Sequence, residues 1–223
     1  MSCVMDIDLF SNMLLASIKQ NKLLFQLTLQ GVLSYGMVKK WGSVGNTWYR
    51  SIVCGVLGIR GLMYLRRDNY EEDEKSCDII RSYFLIDFMY LLSSKRKRKD
   101  LILHHIIWYT VHTILSTYRT TFQDKSWVSQ CRNLVFIAEL ISAMNGPLRK
   151  NKKRLRQWRL FMICCVRLPT LLTIMIPTAF LRDNYKPSPL FPRTFMKFVS
   201  VFAPFYDVYM LKKMKFHLCD RTI

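Results

Sequence analysis

The sequence predicts an all-α protein, a polytopic transmembrane helix bundle of about six to seven spans around a polar interior. Three observations favour this fold. Apolar residues are gathered into blocks of about 15 to 22 residues, close to the length of helix that crosses a bilayer. The 34 Lys and Arg residues lie mostly between these blocks. Several blocks also contain ionisable residues, which are costly in contact with lipid and therefore indicate a polar interior.

Seven candidate spans follow one another along the chain. They cover residues 23–38, 51–65, 76–94, 101–118, 133–148, 160–181 and 195–211. We expect an N-terminal segment with the first span (1–47), a helical membrane domain (48–215) and a short cytoplasmic tail (216–223). Pro169, Pro177 and Pro204 lie inside the last two spans and predict kinks, because proline removes a helix hydrogen bond.

Basic residues between the spans predict the orientation of the chain. Lys and Arg are more frequent after the odd-numbered spans, for example in the run from Lys95 to Lys99, than after the even-numbered spans. The side richer in Lys and Arg is expected to be cytoplasmic, so the C-terminus is predicted to be cytoplasmic and the N-terminus to lie on the opposite side. The N-terminus has no basic segment typical of a signal peptide, so the first span is expected to direct insertion.

Charge and cysteine content test two other classes of protein. A net charge of +19 would suit a nucleic-acid binder, but the apolar block at 160–181 has one formal charge, Arg167, so no nucleic-acid partner is expected. The seven cysteines show no CxxC or Cys/His spacing suited to zinc. We therefore expect no metal site and no resident cofactor. Because the chain is predicted to span a membrane, we expect membrane lipids as its partners.

The fourth span contains an unusual group of histidines. His104, His105, Trp108 and His112 fall within one arc of about 100° on a helical projection, and aliphatic residues occupy the opposite arc. The aliphatic face is expected to contact lipid and the histidine face to line the bundle interior. A neutral imidazole there could accept a proton, so His104 and His105 are candidate catalytic residues, and Trp108 and His112 are candidate binding residues.

Other spans contribute polar groups to the same predicted interior. In the third span, Asp87 needs a buried partner, and a histidine ring nitrogen on the adjoining helix would satisfy it and orient the imidazole, which makes Asp87 a third catalytic candidate. Glu139 in the fifth span and Arg167 in the sixth are candidate binding residues. Asp207 in the last span is expected only to form a hydrogen bond between helices.

Two of these segments resemble the signature of a known family. Tyr83-Phe-Leu-Ile-Asp87, a basic loop, and Lys99-Asp100-Leu-Ile-Leu-His104-His105 are similar to the TLC-domain family, which includes the ceramide synthases. The similarity extends from about Trp48, through Phe136-Ile-Ala-Glu139-Leu140 and Arg167, to the last span. The resemblance implies a helical lipid-metabolism protein of the endoplasmic reticulum or another internal membrane.

The resemblance leaves three functions open. Similarity to ceramide synthases implies acyl transfer from acyl-CoA, as co-substrate, to the amine of a sphingoid base, with His104 and His105 in the reaction centre. However, the paired aspartates of that branch are absent, and residues 139–149 look closer to the short, non-synthase TLC proteins. We therefore favour a protein that binds, senses or handles lipid. An acyltransferase is the alternative, and a membrane cargo or assembly factor is a third.

Overall fold

The computed structural model describes the backbone of residues 7–65, 70–94, 99–118, 125–180 and 189–219, and the side chains of 21–65, 71–94, 99–118, 128–180 and 189–212. Within these ranges the chain is all-helical, as predicted, and has no strand. The seven long helices are α1 Ile7–Trp41, α2 Ser43–Tyr64, α3 Tyr70–Ser93, α4 Lys99–Thr117, α5 Lys125–Ala138, α6 Lys152–Phe180 and α7 Leu190–Cys219. Most of the predicted basic loop (95–98) and the last four residues lie outside the described residues.

Helices α1 and α2 form a tight hairpin. Gly42, between them, has a φ of 57°, a left-handed conformation that glycine adopts without steric cost. A Cβ atom at Gly45 would lie 2.0 Å from the backbone oxygen of Met37, so only glycine allows the two helices to approach this closely. The first span is therefore joined directly to the helical domain rather than standing apart from it.

Helix α2 is the centre of the bundle and packs against α1, α3 and α5. Tyr49, Cys54 and Leu57 are fully buried on it. Its contact with α5 depends on Gly61, where a Cβ atom would lie 2.6 Å from the backbone oxygen of Asn133 and 3.0 Å from the backbone nitrogen of Ile137. Small residues let helix backbones approach in this way.

Replacement of Gly61 by alanine is therefore expected to destabilise the fold. The new methyl group meets backbone atoms of α5, which cannot rotate away, and overpacking of this kind costs about 1–3 kcal/mol. Thermal unfolding of the purified protein in mild detergent measures the loss. Gly55→Ala is the matched control on the same helix, because its Cβ would make an ordinary 3.8 Å contact with Ala143. Equal stability of the two variants would contradict the prediction.

The predicted fifth span at 133–148 is wrong in its boundaries. Helix α5 ends at Ala138, Glu139 donates its backbone N–H to the Phe136 oxygen at 3.0 Å, and a four-residue helix, Leu140–Ala143, precedes a series of turns to residue 150. Pro147 disfavours helix at the preceding residue. The sequence pattern missed this break because the residues on both sides of it are apolar.

Helix α6 contains two π-helical segments, Met162–Arg167 and Leu171–Met175, on either side of Pro169. A proline cannot donate a helix hydrogen bond, and wider π turns are one way to accommodate the interruption. Among the described helices, α6 alone has the length and apolar composition to cross a membrane by those two criteria. The other predicted spans lie in more polar helices, so six to seven spans are not confirmed by this test.

Candidate functional site

Helices α3 and α4 bring Asp87 and His105 together. His105 Nε2 lies 2.9 Å from Asp87 Oδ2, and both residues are buried. The sequence predicts a histidine contact for Asp87 on the adjoining helix, and this contact is present. The other ring nitrogen, His105 Nδ1, has no hydrogen-bond partner among the described residues. That nitrogen is itself buried.

The second oxygen of Asp87 is held by helix α2. Arg50 Nε donates to Asp87 Oδ1 at 2.6 Å, and Asn46 Nδ2 donates to the same oxygen at 3.3 Å. Sequence analysis singled out neither residue, because both lie between the first two predicted spans, 23–38 and 51–65. Their spacing of four residues places them on one helix face, and this spacing was the available signal. Asp87 is thus fixed from two sides, which orients the His105 ring.

His104 points in a different direction from its neighbour. The two imidazole planes are perpendicular, and the His104 ring stacks on Tyr206 of α7 with ring centres 5.6 Å apart. Adjacent residues on a helix are separated by about 100°, so a histidine pair cannot present both rings to one partner. The structure gives the pair two separate positions, one beside Asp87 and one beside α7.

Arg167 and Asp207 join the last two helices. Arg167 Nε lies 3.1 Å from Asp207 Oδ2, and Asp207 is buried. The expected interhelical contact of Asp207 is therefore an ion pair. Arg167 was predicted to bind a ligand, and it reaches the same interior with part of its charge already balanced by Asp207.

Glu139 lies at the break that follows α5. Its Oε2 accepts a weak bond from the Cys54 thiol, with the sulfur 3.8 Å away. Because the helix ends here, the Glu139 side chain forms this part of the wall of the polar interior. Sequence reasoning placed Glu139 correctly in the polar interior, but on a continuous helix that does not exist.

These groups surround one polar cavity with a volume of about 260 Å³. Residues from α2, α3, α4, α6, α7 and the segment after α5 line it. The charged and histidine side chains in its wall are Arg50, Asp87, His104, His105, Glu139, Arg159, Arg167 and Asp207. Five of the seven predicted site residues thus meet here: Asp87, His104, His105, Glu139 and Arg167.

An apolar groove adjoins the polar cavity between α4 and α7. It has a volume of about 150 Å³. Its wall consists of Asp100, Leu103, His104, Ile107, Trp108, Arg167, Phe202, Ala203 and Tyr206. Trp108, a predicted binding residue, lies in this groove. His104, Arg167 and Tyr206 line both spaces, so the polar cavity and the apolar groove meet at these three side chains.

His112 lies apart from both spaces. Its ring stacks between Phe84 and Phe136, with ring centres 6.1 Å and 5.6 Å away, and neither ring nitrogen has a partner among the described residues. The structure therefore does not bring this predicted binding residue to the cavity. The helical projection placed it there because it shares an arc with His105, but seven residues of rise separate the two along the axis.

A second cluster of charges occupies the opposite end of the same helices. Asp73, fully buried in α3, accepts from Arg132 Nη2 at 2.5 Å, from Asn133 Nδ2 at 3.2 Å and from Ser129. Sequence reasoning missed this cluster because it assigned Asp73 and Arg132 to loops. Both lie inside helices, and α3 already begins at Tyr70. The cluster ties α3 to α5 far from the cavity.

Glu72, which precedes the predicted third span, is paired at the rim of this end. Lys75 Nζ and Arg60 Nη2 donate to its two oxygens, each at 2.7 Å. These hydrogen bonds, with that from Lys75 the stronger influence, lower the pKa of Glu72 to about 2. The carboxylate therefore stays ionised throughout the physiological range. The four consecutive acidic residues Glu71 to Glu74 are thus all paired with basic side chains in the first turns of α3.

Comparison with known proteins adds no relative. No family model, curated protein or solved structure matches the chain. The resemblance to the TLC-domain family stays a prediction from the residues that carry it.

Proposed function

We propose that the chain is a multi-spanning membrane protein that binds a lipid, with the head group in the polar cavity and a hydrocarbon chain in the apolar groove. The observation that carries the proposal is the junction of these two spaces at His104, Arg167 and Tyr206. An amphiphile needs a polar and an apolar compartment in direct contact. A small polar metabolite would occupy the polar cavity but would not bind in the apolar groove.

The distribution of side chains supports a membrane setting. Ionisable residues such as Asp73, Asp87 and Arg132 are buried, whereas many large apolar residues are exposed. Exposed apolar residues on α1, α2, α4, α6 and α7 include Leu24, Phe25, Val32, Ile59, Leu62, Leu103, Ile106, Phe161, Leu172, Phe198 and Phe205. Patches of this kind mark membrane or protein contacts. Buried charges also explain why the other helices are less apolar in composition than α6 although their outer faces are apolar.

The predicted compartment and partners follow from the same proposal. Membrane lipids are the proposed ligands and the bilayer the proposed surroundings of the exposed faces. The resemblance of residues 83–105 to the TLC-domain signature supports an internal membrane such as the endoplasmic reticulum.

Leu103 provides a test of lipid binding. Replacement by tryptophan fills the groove, and we expect about tenfold less lipid to remain bound to the purified protein, equivalent to about 1.4 kcal/mol. Native mass spectrometry from mild detergent, followed by lipid extraction, measures the bound lipid. Ile106→Trp is the matched control, because Ile106 is on the same helix, is 48% exposed against 52% for Leu103, and does not line the groove. Absence of lipid on the wild type, or equal loss in both variants, would contradict the proposal.

The Asp87–His105 contact favours a second function, acyl transfer to an amine. In this reaction the amine nitrogen forms a bond to the thioester carbonyl carbon of acyl-CoA, and the carbon–sulfur bond breaks. The unpaired Nδ1 of His105 would take the proton that the amine loses and then return it to the departing sulfur, so that coenzyme A leaves as the thiol. Asp87 would stabilise the resulting imidazolium through Nε2.

Acyl transfer has a direct test in cells that lack ceramide synthase. If the chain is such an enzyme, the wild type produces ceramides, whereas the His104→Ala/His105→Ala variant lowers production by about 100-fold or more, the usual scale of general-base loss. Lipid mass spectrometry measures the products. No ceramide from the wild type would reject this function for sphingoid bases while leaving lipid binding intact.

A further inference from the structure

Helix α6 has an inner and an outer face with different chemistry. Ile163 and Arg167 line the polar cavity. Cys164 and Cys165 are exposed on the outside as free thiols, next to the exposed ring of Phe161. The described cysteines on other helices, Cys54, Cys77 and Cys131, are all buried.

The π-helical turn presents these two thiols together. Cys164 and Cys165 lie within the segment Met162–Arg167. In a π-helix about 80° separates neighbouring side chains instead of about 100°, so two consecutive residues share a narrower arc. The inner residues Ile163 and Arg167 are four apart, and the paired thiols lie between them on the opposite side. The π-helical segment before Pro169 therefore places two cysteines side by side on the outer surface.

The residues before this patch place it near the membrane surface. Residues 149–159 contain seven Lys and Arg residues and no acidic residue, and most of these basic side chains are exposed. Cys164 follows Arg159 by five residues, a rise of about 7 Å along the helix. This depth corresponds to the boundary between head groups and hydrocarbon. Cysteines at this boundary on the cytoplasmic side are typical acceptors of fatty acyl groups.

We propose that Cys164 and Cys165 form an S-acylation site for long-chain fatty acyl groups. The thiolate sulfur attacks the carbonyl carbon of a fatty acyl thioester derived from acyl-CoA. A new carbon–sulfur bond forms, the original one breaks, and the released thiol takes up the proton lost by the cysteine. The attached chain then lies along the outer apolar face of α6 toward the exposed Leu172 and holds the basic half of the helix at the surface.

This proposal rests on the membrane placement of the proposed function and on the predicted cytoplasmic side of the basic loops, but not on the lipid site. Full-length protein with Cys3→Ser and Cys219→Ser is produced in cultured eukaryotic cells fed alkyne-tagged palmitate. We expect a label that neutral hydroxylamine removes, and loss of that label in the further Cys164→Ser/Cys165→Ser variant. Serine at these exposed positions leaves the packed interior unchanged, and the three buried cysteines remain as internal controls.

Site-resolved mass spectrometry of the Cys3→Ser/Cys219→Ser protein gives a readout that does not depend on the second variant. The acyl mass is expected on the peptide that contains Cys164 and Cys165. Absence of a hydroxylamine-sensitive label in this background, or an acyl group on Cys54, Cys77 or Cys131 instead, would overturn the proposal. Either result leaves the bound lipid of the cavity unaffected, so failure here is distinct from failure of lipid binding.

Discussion

Replacement of Asp73 by asparagine is expected to destabilise the protein by about 3–5 kcal/mol, the usual cost of removing one partner from a buried ion pair. Arg132, which is 3% exposed, would lose its charged acceptor at 2.5 Å and remain buried with an uncompensated charge. Ser129 and Asn133 would also exchange a carboxylate for a weaker amide acceptor. Unfolding in mild detergent, followed by circular dichroism, measures the effect.

Two controls separate the ion pair from a general effect of charge. Glu71→Gln removes an acid two residues away, whose side chain is 72% exposed and pairs with Lys75, so a change below about 0.5 kcal/mol is expected. Asp73→Leu/Arg132→Met removes both charges and is expected to recover part of the stability, because no lone charge stays buried. A stability of Asp73→Asn equal to that of Glu71→Gln would refute the structural role of the cluster.

Replacement of Asp87 by asparagine is expected to weaken lipid binding by about tenfold or more, since a hydrogen bond to a charged group contributes about 1.5–3 kcal/mol. Arg50 would lose its partner at 2.6 Å and be free to turn into the cavity. The side-chain NH2 of the new asparagine could also face His105 Nε2. Because this group cannot accept a hydrogen bond, the imidazole ring would no longer be held in its present orientation. Both changes alter the wall that would contact the head group.

Lipid bound per folded molecule, measured by native mass spectrometry, tests the Asp87 prediction. Asp78→Asn is a matched control, because Asp78 is also buried on α3 but pairs with Arg81 and does not line the cavity. It is expected to lower stability without changing the bound lipid. If both variants bind lipid like the wild type, Asp87 has no part in ligand recognition, and the hypothesis that it orients His105 for binding fails.

The number and order of the helices could be predicted from the sequence, because apolar blocks separated by basic segments reflect local composition. The helical break at Glu139 could not, because residues 133–148 are mostly apolar on both sides of Glu139 and the break depends on packing. Gly146 lies against α2, where a Cβ atom would meet the Trp48 ring at 2.7 Å, and its N–H donates to Ser51 Oγ at 2.6 Å. These contacts are made with a helix almost a hundred residues away in the chain.

The sequence by itself determined the all-helical class and the approximate membership of the polar site, because helical periodicity assigns Asp87, His104 and His105 to inward faces. Only the tertiary structure decided how these groups are paired. It separated the two histidines, joined Asp87 to Arg50 and removed His112 from the cavity. The physical reason is that a helical projection gives the angle of a side chain about its own axis, whereas pairing depends on the height and separation of neighbouring helices. Those quantities are set by close contacts such as Gly45 and Gly61, which the projection of a single helix does not contain.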